Sequence, residues 1–323
     1  MRYYSLSTYM RQRYGRRIQK IPLDAGFTCP NRDGSISTTG CVFCNPLGSG
    51  SGMGIKGVSL SEQWTFWRER LQKKYKAAGF WAYLQSYSNT YGPPEKLRRV
   101  LESLCDLPDM VGLSIGTRPD CLQGEKLNLL RSYAPPETWI EIGLQSASDQ
   151  TLRGINRGHD VSTFVRAVER VNRQGLRICV HIIAGLPGER EEDFSTTVDL
   201  VNALPVHGIK FHNLYVCKGS TLASLWKNGL YVPLGREQYI TWLISALKRL
   251  RPEIVVQRLN ADPHHGELLA PNWALQKSDL IRDVQQLLRG GDDWQGKDHS
   301  FPSERPAWFS PHNPFPSSFG DSP

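Results

Sequence analysis

The chain has 323 residues, 39% hydrophobic and 22% charged, with a formal net charge of +8. That length suits one large α/β domain or two ordinary ones, and the apolar share is enough for a packed core. No apolar run nears the ~18 residues of a membrane span. The start carries Arg11, Arg13, Arg16, Arg17 and Lys20 but no apolar core with a cleavage site, so it does not read as a secretory signal. Seven cysteines in so long a chain are not a disulfide framework, and a reducing cytoplasm is expected. The positive balance suits a polyanion such as RNA, and equally a soluble surface without a partner.

Six short apolar, β-rich runs alternate with helical stretches. The runs are Ile18–Phe27, Phe80–Gln85, Met110–Ile115, Trp139–Leu144, Arg177–Ile183 and Ile209–Val216. Ser59 and Glu62 form a capping box that opens a helix to about Ala78. Pro94 suits the first turn of a helix over Pro94–Cys105. Gln123–Tyr133, Thr163–Gln174, Glu189–Ala203 and Arg236–Leu250 follow. Repeated βα units predict a parallel sheet covered on both faces. Six units give an α/β fold of the partial (β/α)6 TIM-like barrel type, with ligands at the C-terminal ends of the strands. The expected divisions are a basic segment over 1–17, the barrel over 18–255, a C-terminal extension packed on it over 256–289, and a Gly/Pro/Ser-rich disordered tail over 290–323. Trp294 and Trp308 give that tail something to dock with.

The loop after the first run holds the strongest signal. Cys29, Cys41 and Cys44 form a three-thiol claw, a Cys-x-x-Cys pair with a third cysteine upstream across a gap of eleven residues. Four thiolates close a zinc site or complete an iron–sulfur cubane; three leave one metal position open for a ligand. Cys105 and Cys179 read as core thiols, and Cys121 and Cys217 as structural.

Other strand ends are polar. Gln85–Pro93 is dense in hydrogen-bonding groups, and Arg118 stands after the third run. In the fourth, Glu141, Gly143 and Gln145 share one face by period-two alternation. If that face is the barrel interior, a buried acid there is costly unless used.

In these residues the chain resembles radical S-adenosylmethionine (SAM) enzymes, in particular the bacterial proteins related to the catalytic subunit of elongator. The resemblance covers about Tyr3 to Trp273. It is carried by Gly26-Phe27-Thr28-Cys29-Pro30-Asn31-Arg32-Asp33-Gly34, Gly40-Cys41-Val42-Phe43-Cys44, Gly185-Leu186-Pro187-Gly188-Glu189 and the segment Gln257–Pro263. It implies a 4Fe–4S cluster on Cys29, Cys41 and Cys44, SAM on the open iron, and reductive cleavage to a 5′-deoxyadenosyl radical. It further implies SAM contacts by Phe43, by the turn holding Gln85, Asn89 and Thr90, by Gln145 and Arg157, and by His181 where related enzymes carry a ribose-binding Asp. The substrate class it implies is a tRNA nucleoside, on the wobble uridine side chain. The electron donor would be a flavodoxin or ferredoxin, with no membrane partner. Two other readings stand beside it: a radical SAM enzyme acting on a small metabolite or porphyrin-like molecule, and a non-catalytic metal module that senses redox state or binds RNA.

Overall fold

A computed structural model describes residues 1–45, 48, 53–54, 56–133, 135, 137–264, 266–299 and 304–310. The chain opens with α1 (Leu6–Tyr14) and β1 (Ile18–Leu23), then runs α2 (Leu60–Tyr75), β2 (Gly79–Leu84), α3 (Pro94–Cys105), β3 (Met110–Thr117), α4 (Gly124–Tyr133) and β4 (Thr138–Gln145). Next come α5 (Asp149–Gly154), α6 (Val161–Arg173), β5 (Arg177–Ala184), α7 (Glu191–Ala203), β6 (Gly208–Asn213), β7 (Val216–Cys217) and α8 (Thr221–Lys227). The last elements are α9 (Arg236–Arg249), β8 (Val255–Arg258), β9 (Leu268–Ala270) and α10 (Lys277–Gly290).

Seven strands form one parallel sheet in the order β1-β2-β3-β4-β5-β6-β8. The sheet curls into a partial barrel with the helices outside. Leu113, Ile140, Ile142, Ile178, Val180, Ile209 and Phe211 point outward into the main core, against helix residues such as Leu97, Phe164, Phe194 and Leu243. The expected six strands are thus joined by a seventh, which crosses the boundary set at 255. Only Val255 and Val256 of β8 are apolar, because Gln257 turns to the polar barrel interior. That composition hid the strand. Short β7 and β9 pair antiparallel beside the barrel.

The end of the barrel where the strands begin is closed by α1. Ser5 caps that helix, and Tyr9 and Met10 pack on Trp81, Trp139, Cys179 and Val255. The Tyr9 hydroxyl donates to Glu137 at 2.5 Å, and Tyr14 to the carbonyl of Val111 at 3.1 Å. Arg13 pairs with Glu137, and the Arg17 guanidinium lies over Tyr75. These arginines therefore sit at the opposite end from the cysteine loop. Gly208 is small because of this plug: a Cβ there would meet Trp139 Cζ3 at 2.5 Å.

Part of the tail docks on the barrel. Gln295 bonds the Tyr4 amide and the carbonyls of Arg251 and Ile254, while Trp308 stacks on Tyr4 at 5.8 Å. Aromatic burial holds this part of the tail on α1's side of the barrel; residues 300–303 and 311–323 lie outside the described residues. No helix among the described residues is long and apolar enough to cross a membrane.

Trp139 is fully buried. Trp139→Ala should lower unfolding free energy by about 3–5 kcal/mol, and Gly208→Ala by about 1–3 kcal/mol through overpacking, both read by chemical denaturation.

Candidate active site

The cysteine loop lies at the C-terminal end of β1 and is ordered by short-range polar contacts. The Cys29 carbonyl accepts from the amides of Arg32 and Asp33, and the Cys44 amide donates to the Cys41 carbonyl. Arg32 donates to the carbonyls of Cys44 and Asn45. A long first gap thus folds back into a compact claw.

The loop after β4 clamps it. Asn156 Nδ2 donates to the Gly40 carbonyl at 2.7 Å, Asn31 Nδ2 to the Asn156 carbonyl at 2.6 Å, and the Val42 amide to the Ile155 carbonyl. Asn31 Nδ2 and Arg157 Nη1 both lie 3.5 Å from Cys41 Sγ. The Cys44 thiol hydrogen bond, then the Arg157 charge, hold Cys41 well below the usual thiol range despite its burial. The same bond, with burial, pushes Cys44 up, and burial raises Cys29.

Arg157 also donates through Nη2 to the Gly143 carbonyl at 2.8 Å. A Cβ at Gly143 would meet that nitrogen, and Gln145 Nε2, at 2.5 Å, so the glycine makes room for both side chains. Gln145 has φ 77°, left-handed for a side-chain-bearing residue, at a register shift between β4 and β5. Such backbone costs roughly 1–2 kcal/mol. It brings the Gln145 amide beside Arg157 near the claw.

The turn after β2 is more self-contained than its sequence indicates. Asn89 Nδ2 donates to the carbonyls of Ser86 and Gly116, and Thr90 Oγ1 donates to the Cys121 carbonyl at 2.9 Å and meets Thr117 Oγ1. Thr90 therefore ties two strand ends together. Gln85 lies half-buried beside Gly116. Phe43 packs against an apolar cluster containing Val42 and Leu222, and its carbonyl accepts from the Cys217 thiol at 3.6 Å. Arg118 pairs with Asp120. Cys105, expected in the core, is exposed at the end of α3, while Cys179 is buried.

His181 lies in a polar layer inside the barrel, beside Gly143 in the sheet register. Its Nε2 lies 2.8 Å from Glu141 Oε2. Lys210 bonds that same oxygen, and Lys20 Nζ reaches Oε1 at 2.9 Å. Lys20 also donates to Ser114 at 3.2 Å and Gln257 at 2.7 Å. Both ammonium groups lie over the Tyr83 ring, Lys210 at 4.0 Å and Lys20 at 5.0 Å. Burial would raise Glu141, but Lys20, Lys210 and His181 hold it well below the usual carboxylate range. Burial brings Lys210 down to about 7 against the pull of Glu141, and His181 to about 4.

Glu141, Gly143 and Gln145 do share the interior face, as alternation predicts. Lys20, Lys210, His212 and Gln257 were not among the expected site residues. The signal for two of them was present: Ile209-Lys210-Phe211-His212 alternates, with Ile209 and Phe211 in the outer core.

Family models match most of this chain. One described as the Radical SAM superfamily matches residues 36–201, and one described as the Radical_SAM C-terminal domain matches 206–289. The uncharacterized protein YtqA of Bacillus subtilis is 35% identical over 301 residues, covering 92% of each chain. A tRNA uridine(34) acetyltransferase of Dehalococcoides mccartyi is 31% identical over 148 residues, 45% of this chain and 32% of that protein. The solved structure of the archaeal Methanocaldococcus infernus Elp3 with an N-terminal deletion superposes with TM-score 0.68 at 17% identity, over 86% of this chain and 64% of that one, a likeness of fold.

Removing the carboxylate at the centre of the polar layer leaves two buried ammonium groups unbalanced. Glu141→Gln should lower unfolding free energy at pH 7 by about 3–5 kcal/mol. The folded pKa of Glu141 lies below its ordinary 4.5, so its stabilisation is present above that pH and is lost as pH falls through the folded value. Denaturation measured across pH should show this acid limb in the parent chain and a shallower one in the variant.

Proposed function

The chain belongs to the radical SAM superfamily, and from that premise we propose that it modifies a nucleoside in tRNA, at the side chain of the wobble uridine. It is an enzyme of the kind that uses a 4Fe–4S cluster and SAM. When bound, the cluster supplies the electron that cleaves SAM and leaves a 5′-deoxyadenosyl radical.

Under this reading Cys29, Cys41 and Cys44 hold the cluster. The donor set fits it: three thiols on one clamped loop, with N–H groups of Asn31 and Arg157 facing Cys41 Sγ as they would face a thiolate. Buried polar atoms without partners among the described residues fit the polar groups of SAM. They include Arg157 Nε, Asn89 Oδ1 and Ser86 Oγ. Gln145 and Arg157 orient that ligand, the Phe43 backbone approaches its base, and Gln85 lies at the same strand-end rim. Thr90 acts by bracing the turn that carries Asn89. His181 belongs to the floor beneath. A flavodoxin or ferredoxin delivers the electron.

The observation that carries the tRNA substrate is the 31% identity over 148 residues with a protein named as a tRNA uridine(34) acetyltransferase. The net charge of +8 supports it as a general attraction to phosphates. The α1 arginines contribute little to that support, since they lie at the closed end of the barrel. A tRNA contacting them would do so far from the radical.

Anaerobically reconstituted protein given dithionite and SAM should release 5′-deoxyadenosine. The Cys29→Ala, Cys41→Ala, Cys44→Ala triple variant should bind no cluster and release none. Gln145→Gly removes both the amide and the backbone strain. It should unfold no more easily than the parent yet bind SAM about tenfold more weakly, the loss of one hydrogen bond of about 1.5 kcal/mol. A deletion strain should lack one modified nucleoside in digested tRNA, read by mass spectrometry. An unchanged nucleoside profile in aerobic and anaerobic growth would turn the substrate reading to a small metabolite.

A further inference from the structure

The polar layer inside the barrel has donor capacity that the protein itself does not use. A lysine ammonium offers three N–H donors. Those of Lys20 are engaged by Ser114, Glu141 and Gln257. Lys210 has one acceptor among the described residues, Glu141, and rests on the Tyr83 face. His212, two residues along the same strand, has its buried Nε2 without any partner among the described residues, and its ring lies 5.1 Å from that of His181. The spare donors thus converge from β6.

Charge points the same way. Two buried lysines face one carboxylate, so when both are protonated the layer holds one positive charge more than Glu141 balances in a low-dielectric interior. Arg258 pairs with Lys210 in the sheet register and adds to that sign, although Asp262 lies 3.8 Å from it. Glu141, Cys179 and His181 bring ligand atoms within 4.8 Å of one another, but two ammonium groups on the same carboxylate exclude a metal cation there. What the layer lacks is an anion.

The layer is reachable. Glu141 is fully shielded while the His181 side chain is 18% exposed, so solvent enters from the His181 side. Its height is also set. In the sheet register His181 pairs with Gly143 and Lys210 with His181, Glu141 lies two residues earlier on β4, and the Gly143 carbonyl holds the arginine that reaches Cys41. A group bound on this floor sits beneath the cysteine loop.

We propose that Lys210, His212 and His181 form an oxyanion-binding floor that takes a carboxylate or phosphate group of the substrate and so fixes which substrate atoms face the radical. This rests on the reading of the barrel interior as the substrate pocket of a radical enzyme. The binding of the anion restores charge balance around Glu141 and satisfies His212. Lys20 keeps a positioning role, holding Glu141 from the β1 side.

The test needs neither SAM nor tRNA, so its failure is separate from failure of the tRNA reading. Full-length, cluster-loaded, oxidised protein carrying 15N-histidine is titrated with sodium acetate or with inorganic phosphate, each against sodium chloride at equal ionic strength. The chain has eight histidines, and single substitutions assign the His181 and His212 signals. A saturable shift of the His212 imidazole is expected with at least one of the two anions. Response to acetate alone assigns a carboxylate, to phosphate alone a phosphate, and to both an oxyanion floor without that distinction. Lys210→Met should weaken the binding roughly tenfold or more, the loss of a charge-assisted hydrogen bond, while Lys210→Arg should retain it. If Lys210→Met does not fold, His212→Leu read on the His181 signal makes the same decision. No saturable shift beyond that of chloride, or an equal shift without the lysine, overturns the proposal.

Discussion

One buried carboxylate joins the parts of this barrel that are furthest apart in sequence. Glu141 on β4 is bound by Lys20 from β1, His181 from β5 and Lys210 from β6, and Lys20 continues to Gln257 on β8. An open sheet of parallel strands has no closing ladder across its interior. A shared charge supplies that closure without filling the space above. It also makes the interior selective: three cationic or donor groups cannot crowd a single acceptor without demanding that the remaining polarity be matched by something else.

Beneath this layer the barrel is filled by apolar and aromatic side chains. The plug of Trp81, Trp139 and α1 seals the end where the strands begin. The claw and the β4 loop form the rim at the other end, and their contacts are almost all hydrogen bonds to loop backbone. This division suits radical chemistry, which needs a confined lumen with one entrance. The Gly143–Arg157–Cys41 contacts connect rim and lumen, so the cysteine loop and the polar floor are held in one register by β4.

The N-terminal segment shows how tertiary placement changes the meaning of a sequence feature. Along the chain its arginines make only a basic segment. In the fold Arg13 neutralises Glu137 and Arg17 covers an aromatic ring, and α1 serves as a lid on the closed end. The tail is the converse case. Its composition reads as largely unstructured with tryptophans able to dock, and in the fold Gln295 and Trp308 find their partners on Tyr4, Arg251, Pro252 and Ile254.

The sequence by itself determined the βα alternation, the six long strands, most helices and the three-cysteine claw. Those features are local: period-two and helical patterning, caps, and the spacing of thiols carry their own physical signature. Alternation along β4 also placed Glu141 on the interior face. Only the tertiary structure decided what Glu141 meets, that His181 and Lys210 bond it, and that Thr90 braces a turn. It alone showed that a four-residue segment with two polar members completes the sheet as β8. These depend on residues from distant strands arriving in one small volume, where the energy of a buried charge is fixed by its neighbours in space.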